Sequence, residues 1–454
     1  MGQDDNAHYP AVMASLPPGY LARSGVKDFS TGKGYHWPPV NALSKDRPPT
    51  MANTCTKPPL NAINVIIFAI LPLVAIILVP AWGIYRGYDA FQWLWALAFL
   101  YLNGLSITGG YHRLWAHKAY EAHPALKWFF AFWGAGALQN SILIWASDHR
   151  RHHRYVDDND RDPYSAGRGL WFSHMGWMLR KYRTNEQDFS NARDLQRDPV
   201  VVWQDKHYVA LTTFMNLGLP LALGWWHGDI IGTVLLVGLL RLVVNHHVTF
   251  FINSLAHFWG TRPYTETNSA RDNGFLAFLT YGEGYHNYHH IFQADYRNGI
   301  RWWQWDPTKW MINLCSRVGL ASDLNRVPDF KIQRAILDTQ FQRARSEMAQ
   351  AQGSDSLRVT LEREYQLFTE SINRWKMLQA ERYERKKAAL GDALDEHRER
   401  LGDALEGRKA QLQRKWESAA LRTRLRELEF SLRMQRKRLA LLMEQIQLQT
   451  AQAA

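Results

Sequence analysis

The strongest constraint in the sequence is a run of about 20 apolar residues, Val65 to Ile84, without one charged side chain. A helix rising ~1.5 Å per residue over that length crosses a hydrocarbon layer of ~30 Å. A second run, Phe91 to about Ile107, follows a short turn containing Arg86, Gly87 and Asp89. The pairing recurs later, with Tyr208 to Trp226 and then Ile230 to Ile252 after His227-Gly228-Asp229. Two helical hairpins account for both pairs, and they leave everything outside the hairpin tips on one side of the membrane. Arg241 lies inside the fourth run. A charge at that depth is a functional or pairing residue by default, unless it snorkels to the interface.

Ala125 to Trp145 is also apolar, but a crossing there would put the histidine clusters before and after it on opposite faces. It is therefore read as a helix lying at the interface, with Trp128, Trp133 and Trp145 in an aromatic belt. The loops from Arg113 to Lys206 and after Arg262 are dense in Arg and Lys, which assigns them to the cytosolic side. The host membrane, a bacterial cytoplasmic membrane or the endoplasmic reticulum, stays open.

Polar flanks hide this core in a mean hydropathy of −0.36. Residues 1–60 are rich in Pro, Gly, Asp and Lys with no apolar period, and they read as a disordered leader without a signal peptide or lipidation signal. Residues 61–330 form the membrane domain. Residues 331–454 are a charged helical or coiled-coil tail in which Leu-Gly-Asp-Ala-Leu occurs at 390–394 and 401–405. There Leu425, Leu428, Leu432, Leu439, Leu442 and Ile446 follow 3-4 spacing, broken at Gln435. Such a tail serves oligomerisation, partner docking or attachment to anionic lipid, or it folds back on itself as a hairpin. Deleting it is expected to leave the histidine site intact. The 59 aromatic residues (20 Trp, 19 Tyr, 20 Phe) exclude a wholly disordered chain, and two cysteines exclude a disulfide scaffold or a Cys-rich metal site.

Histidine is the unusual residue, with 18 copies. Half of them fall in four short clusters: His112 and His117; His149, His152 and His153; His257, one turn after Asn253; and His286, His289 and His290. The second and last clusters share the spacing i, i+3, i+4, which places three imidazoles on one helix face. Any one cluster alone reads as a surface or core pair. Four at matching topological positions do not, because buried imidazoles without a metal would each need a hydrogen-bond partner. Nine nitrogens exceed one coordination sphere, so two metals are implied, and imidazole by itself suits Zn, Cu, Fe or Ni. Asp148, Asp157, Asp158, Asp162, Glu266 and Glu283 flank the clusters and could orient ligand rings. Taken singly, each is expected to be a surface carboxylate paired with an arginine. The histidines His8, His36, His174, His246, His247 and His397 are read as non-ligands.

The motifs HRLWAH, HRRHH, NSLAH and GEGYHNYHH resemble the integral-membrane acyl-CoA desaturase family of the stearoyl-CoA, delta-9 type, together with Trp145-Ala-Ser-Asp-His149, Phe172-Ser-His-Met-Gly-Trp177 and Arg262-Pro-Tyr264. The resemblance covers roughly Asn64 to Leu320. It implies an all-α membrane fold: four transmembrane helices in two hairpins under a cytosolic helical cap that holds a His-rich dimetal site. It also implies two iron ions, held by His112, His117, His149, His152, His153, His257, His286, His289 and His290, with Asn253 reaching one iron through water. No catalytic side chain outside the metal site is implied. The implied reaction forms a cis double bond in a saturated C16–C18 acyl-CoA, using O2 and two electrons. Residues similar in position to the family's substrate contacts are Asn64, Gln139, Asn140, Trp145, Asp148, Arg180, Lys181 and Arg241.

Fungal members of that family carry a fused cytochrome b5 domain, but no His-Pro-Gly-Gly motif occurs here. The expected donor is therefore a separate cytochrome b5, or a ferredoxin with its reductase. The net charge of +12 then reflects cytosolic loops, the tail and an anionic acyl thioester rather than nucleic acid. The rival readings are an acyl-lipid or acyl-carrier desaturase, a membrane diiron hydroxylase, and a non-catalytic membrane scaffold. The five-residue step from His112 to His117 favours a desaturase over a hydroxylase.

Overall fold

In the computed structural model, residues 57–350, 355–396 and 404–453 are described. Most of the leader, His8, His36, His397 and the 11-residue repeat lie outside the residues whose side chains are described.

Helix α1 (Ala62–Tyr85) begins where the Asn61 side chain accepts the Asn64 amide, 3.4 Å away. Only 11% of its most apolar window is buried inside the protein, so its apolar surface needs lipid rather than protein to cover it. Helix α2 (Ala90–Ala116) opens with a reciprocal cap between Asp89 and Gln92, both bonds 3.1 Å. From Ser106 onward α2 widens into π-helical turns; the His117 amide reaches back to the His112 carbonyl at 3.0 Å. Such turns are rare and concentrate at functional sites. Here the widened segment carries the first histidine cluster.

Helix α3 (Pro124–Ala135) and helix α4 (Ile142–Tyr155) replace the single interfacial helix expected over 125–145. The chain reverses between them, with Leu138 (φ 52°) and Asn140 (φ 74°) in the left-handed region that excludes helix. Among the three tryptophans assigned to a belt, only Trp128 is exposed; Trp133 packs edge-on against Phe99, and Trp145 stacks on His149. Helix α5 (Pro199–Lys206) supplies Gln204, which accepts the first amide of α4 and donates to the Tyr111 hydroxyl.

The second hairpin is α6 (Tyr208–His227) and α7 (Ile230–Phe258). Gly228, at φ 89°, ends α6 in a conformation that suits glycine, and its amide bonds to the Gly224 carbonyl. These four helices are the membrane-length apolar helices among the described residues. Ala75, Val79, Phe99, Leu236 and Val237 form their shared core.

The cap that follows contains α8 (Gly274–Leu279), α9 (His286–Ile291) and α10 (Pro307–Arg317). A two-residue antiparallel ladder pairs Glu121 with Ser322 and Ala122 with Ala321, closing the cap core around Tyr111, Phe130 and Ile312.

The tail is α11 (Asp329–Gln350), α12 (Asp355–Glu396) and α13 (Ala404–Ala453). Arg385 pairs with Glu417 and Arg438 with Glu364, so α13 runs antiparallel to α12; Arg345 with Glu362 and Phe330 with Trp375 give the same sense between α11 and α12. The fold-back alternative is thus the one observed. Gln435, the break in the heptad, is buried and donates to Ser371 Oγ at 2.9 Å. The tail is not detached from the cap. Ile332, 2% exposed, packs with Tyr264 and Tyr288, while Arg343 binds Glu266 (2.7 Å) and the Arg262 carbonyl (2.6 Å).

Candidate metal centre and adjoining cavity

The nine clustered histidines converge from α2 and the residue that follows it, and from α4, α7 and α9, into two groups. One contains His112, His117, His149, His153 and His289; the other contains His152, His257, His286 and His290. The i, i+3, i+4 spacing of α4 and α9 divides each triplet between the groups instead of dedicating it to one.

Within the groups the Nε2 atoms face one another. His149 lies 2.9 Å from His117, and His289 lies 3.0 Å from His112 and 2.9 Å from His153. In the second group His290 lies 3.3 Å from His152 and 3.0 Å from His286, which is 3.1 Å from His257. Hydrogen bonding cannot account for the second set. His152 donates its Nδ1 proton to Asp162 at 2.9 Å, and His257 donates to Ser269 Oγ at 2.7 Å, whose own proton goes to Asp157 at 2.5 Å. Both Nε2 atoms therefore present lone pairs, since a neutral ring carries one proton. His290 and His286 would each have to donate to them, yet those two nitrogens also face each other. A cation among the lone pairs removes the conflict. Metal–imidazole bonds of ~2.1 Å set octahedral edges near ~3.0 Å, the separation seen. The donor set fits a metal in each group.

Burial keeps these rings available as ligands. His117, His149, His153, His286, His289 and His290 are all held well below the usual histidine range, first by burial and then mainly by neighbouring imidazoles. Glu283 accepts His112 Nδ1 at 3.0 Å and Arg113 at 2.9 Å. Burial pushes that carboxyl up, but His112 and Arg113 more than offset it and keep it ionised. Arg113, 1% exposed, also binds Asp306 and the Tyr296 carbonyl, so its charge is fully paired in the interior.

The six flanking carboxylates divide evenly. Glu283 and Asp162 bind ligand rings directly, and Asp157 does so through Ser269. Asp158 pairs with Arg161, Glu266 with Arg343 and Asp148 with Arg151. Tyr164, whose hydroxyl lies 3.2 Å from His149 Nδ1, and Ser269 were not read from the sequence. Their only signal there is position, Tyr164 two residues after Asp162 and Ser269 in the loop after the Asn253–His257 turn.

A cavity of about 720 Å³ adjoins the first group, with His112, His149, Asn253 and Glu283 in its wall. Its apolar lining includes Ile67, Phe68, Ile107, Ile144, Val248 and Ile252, and its polar lining includes Arg180, Lys181, Glu186 and Gln187. Asn64, Gln139, Asn140, Trp145 and Asp148 also line it. Asn64 is fixed by its bond to the Met178 carbonyl, Gln139 by Thr249 Oγ1, and Arg180 by the Pro58 carbonyl. Burial raises the Asp148 carboxyl to about 6 despite Arg151. Arg241 is the exception among the residues aligned with substrate contacts. It is 2% exposed, absent from the cavity wall, and bonded to the carbonyls of Gly136 and Val237.

Comparison with known proteins agrees with this geometry. The probable acyl-CoA desaturase of Schizosaccharomyces pombe is 45% identical over 245 residues, covering 54% of this chain and 51% of that protein. Acyl-CoA desaturase 1 of Saccharomyces cerevisiae is 43% identical over 245 residues, with 54% and 48% covered. The stearoyl-CoA desaturase of Sus scrofa is 35% identical over 284 residues, with 61% and 77% covered. The chain thus spans about half the length of the two fungal relatives. The family model for fatty acid desaturases matches residues 52–320, the stretch that holds all four apolar helices and all nine converging histidines. The chain belongs to the fatty acid desaturase family.

Proposed function

We propose that the protein is a membrane-bound fatty acyl-CoA desaturase that places a cis double bond at the delta-9 position of a saturated long-chain substrate. The overall reaction consumes one O2, two electrons and two protons, and releases the monoenoyl thioester and two waters. The observation that carries this reading is the pair of all-imidazole groups, the first of which stands in the wall of a largely apolar cavity also lined by Arg180 and Lys181. Relatives named acyl-CoA desaturase and delta-9 fatty-acid desaturase support the same substrate class.

In this reading the histidine groups would each hold an iron, with Asn253 reaching one of them through a water. Iron supplies the oxygen-activating redox chemistry that side chains lack for an unactivated C–H bond. The chain's own residues supply position and dryness. Arg180 and Lys181 meet the anionic head group, while Asn64, Gln139 and Asn140 offer amides along the path. Trp145, stacked on His149 at 4.9 Å, forms a flat wall against which the methylenes lie beside the first group. A volume near 720 Å³ falls within the ~300–1,000 Å³ typical of enclosed small-molecule sites. The histidine groups face the cytosol, and electrons arrive from a separate cytochrome b5 or from a ferredoxin with its reductase. Gas chromatography of fatty acids from a desaturase-deficient host expressing the chain tests the reading. New cis-9 monoenes are expected; an unchanged profile or a hydroxy acid contradicts it.

A further inference from the structure

The residue left over from the cavity, Arg241, belongs to a device that reaches it indirectly. Helix α3 ends at Ala135, and the last carbonyls of a helix have no further turn to receive them. Four consecutive carbonyls, that of Ala135 and the three that follow the helix, are taken by side chains of the second hairpin. Thr212 Oγ1 donates to the Ala135 carbonyl at 2.9 Å, and Arg241 Nη1 donates to that of Gly136 at 2.8 Å. His246 Nε2 donates to those of Ala137 and Leu138, at 3.0 and 3.3 Å. The loop so held continues directly into Gln139 and Asn140, which line the cavity. Leu138 and Asn140 both sit at positive φ, a conformation that non-glycine residues keep only when their surroundings enforce it.

Arg241 itself is anchored from behind. Its Nε bonds to the Val237 carbonyl of its own helix at 2.9 Å, its guanidinium lies 5.6 Å from the Phe99 ring, and among the described residues no carboxylate pairs with it. A buried guanidinium without a counter-charge is costly, and it is held here by peptide carbonyls. His246 is fixed in the same way, stacked on Phe250 and edge-on to Phe68 with Nε2 pointing at the loop, and unlike Arg241 it also forms part of the cavity wall.

We infer that Arg241 is a positioning residue and that His246, itself in the cavity wall, acts with it: they clamp the 136–140 loop and thereby set where the Gln139–Asn140 wall stops the acyl chain relative to the histidine groups. This rests on the acyl-CoA reading above. Loosening the loop leaves the metal groups untouched but lets the chain shift along the cavity. O2 is then reduced by the donor's electrons without oxidising the acyl chain, or the two hydrogens are lost from a neighbouring pair of carbons.

The test uses the full-length, iron-loaded protein in nanodiscs with stearoyl-CoA and a reductant. Arg241→Met and His246→Phe remove the donors; Arg241→Lys and His246→Gln return one. Monoene formed per O2 consumed, double-bond position and iron content are measured for each. The clamp predicts wild-type iron in all four variants. In the two variants that lose a donor, Arg241→Met and His246→Phe, coupling falls by up to about 100-fold or positional isomers appear, as expected for a misplacement near 1 Å. Arg241→Lys and His246→Gln recover most of it. Wild-type coupling and a single isomer in every variant would overturn the inference. So would a loss of activity that only tracks lost iron or lost folded protein and that the two conservative variants fail to rescue. Absence of any monoene from the wild-type protein would instead overturn the acyl-CoA reading itself.

Discussion

The two histidine groups are built from the same helices yet differ in what surrounds them. The first has His112 and His149 in the cavity wall, with Glu283 and Tyr164 behind its rings. The second contributes no histidine to that wall. Its rings are oriented by Asp162 and by Asp157 through Ser269, and its α9 segment is covered by the tail through Tyr288 and Ile332. One group faces the cavity and the other faces the scaffold. Each of α4 and α9 nevertheless feeds both groups, so the two share their supporting helices.

The largest expected effect makes the two groups alike. His149→Ala and His290→Ala each remove one ligand from a different group, and both should abolish desaturation below about a thousandth of wild type. Metal analysis should still separate them, since each variant retains metal in the intact group. If either variant keeps wild-type turnover, the two groups do not form one reacting centre.

The groups should diverge when the orienting carboxylates are altered. Glu283→Gln and Asp162→Asn are each expected to weaken metal affinity by about 10- to 100-fold, with the loss confined to the group concerned. Glu283→Gln should also destabilise the fold, because Arg113 is left buried with one carboxylate fewer. Equal loss from both groups in both variants would erase the distinction.

A smaller effect probes the scaffold side alone. Ile332→Ala should cost about 2–3 kcal/mol of stability, as other buried large-to-small changes do, and lower occupancy of the second group before the first. Chemical denaturation and metal titration measure the two parts. The expectation that the histidine site survives loss of the tail is tested at the same contact: a cut after residue 328 would expose Tyr264 and Tyr288, whereas a cut after residue 350 keeps Ile332 and should retain both metals.

The last effect, on the metal-free protein, is that of pH. In the metal-free protein six ligand histidines have folded values well below ~6.5, so the unfolded chain binds more protons as pH drops through ~6.5 and below. Stability contributed by keeping them neutral is full above that point and falls as pH falls. Asp148 and Asp272, raised by burial to about 6 and about 7, act in the opposite sense over part of the same window, but they are two groups against six. The melting temperature of apo protein should therefore decline from pH 7 to pH 5, and bound metal should flatten that decline. A rise on acidification would contradict the neutral, buried assignment.

Much of this was legible in the sequence because it depends on periodicity. Membrane-length apolar runs, the i, i+3, i+4 histidines and the heptad leucines are local signals, and local geometry carries them into three dimensions. Parity extended that reach, since it kept 125–145 from being counted as a span. What was not legible depends on contacts between distant segments. The break at 136–141 lies in an apolar stretch without proline, and it is held by Thr212, Arg241 and His246 from a different hairpin. Asp148, Asp158 and Asp162 look alike beside the second cluster, yet only Asp162 reaches a ligand ring. Gln435 signalled a defect in the seam, but its pairing with Ser371 requires the antiparallel return of α13.

The most direct test of the central claim is turnover by purified, iron-loaded protein supplied with stearoyl-CoA, O2 and a reductant, with the double bond mapped by mass spectrometry and iron counted on the same sample. The account predicts two irons per chain and oleoyl-CoA as the product. A hydroxylated or unchanged acyl chain from protein carrying both irons would contradict it.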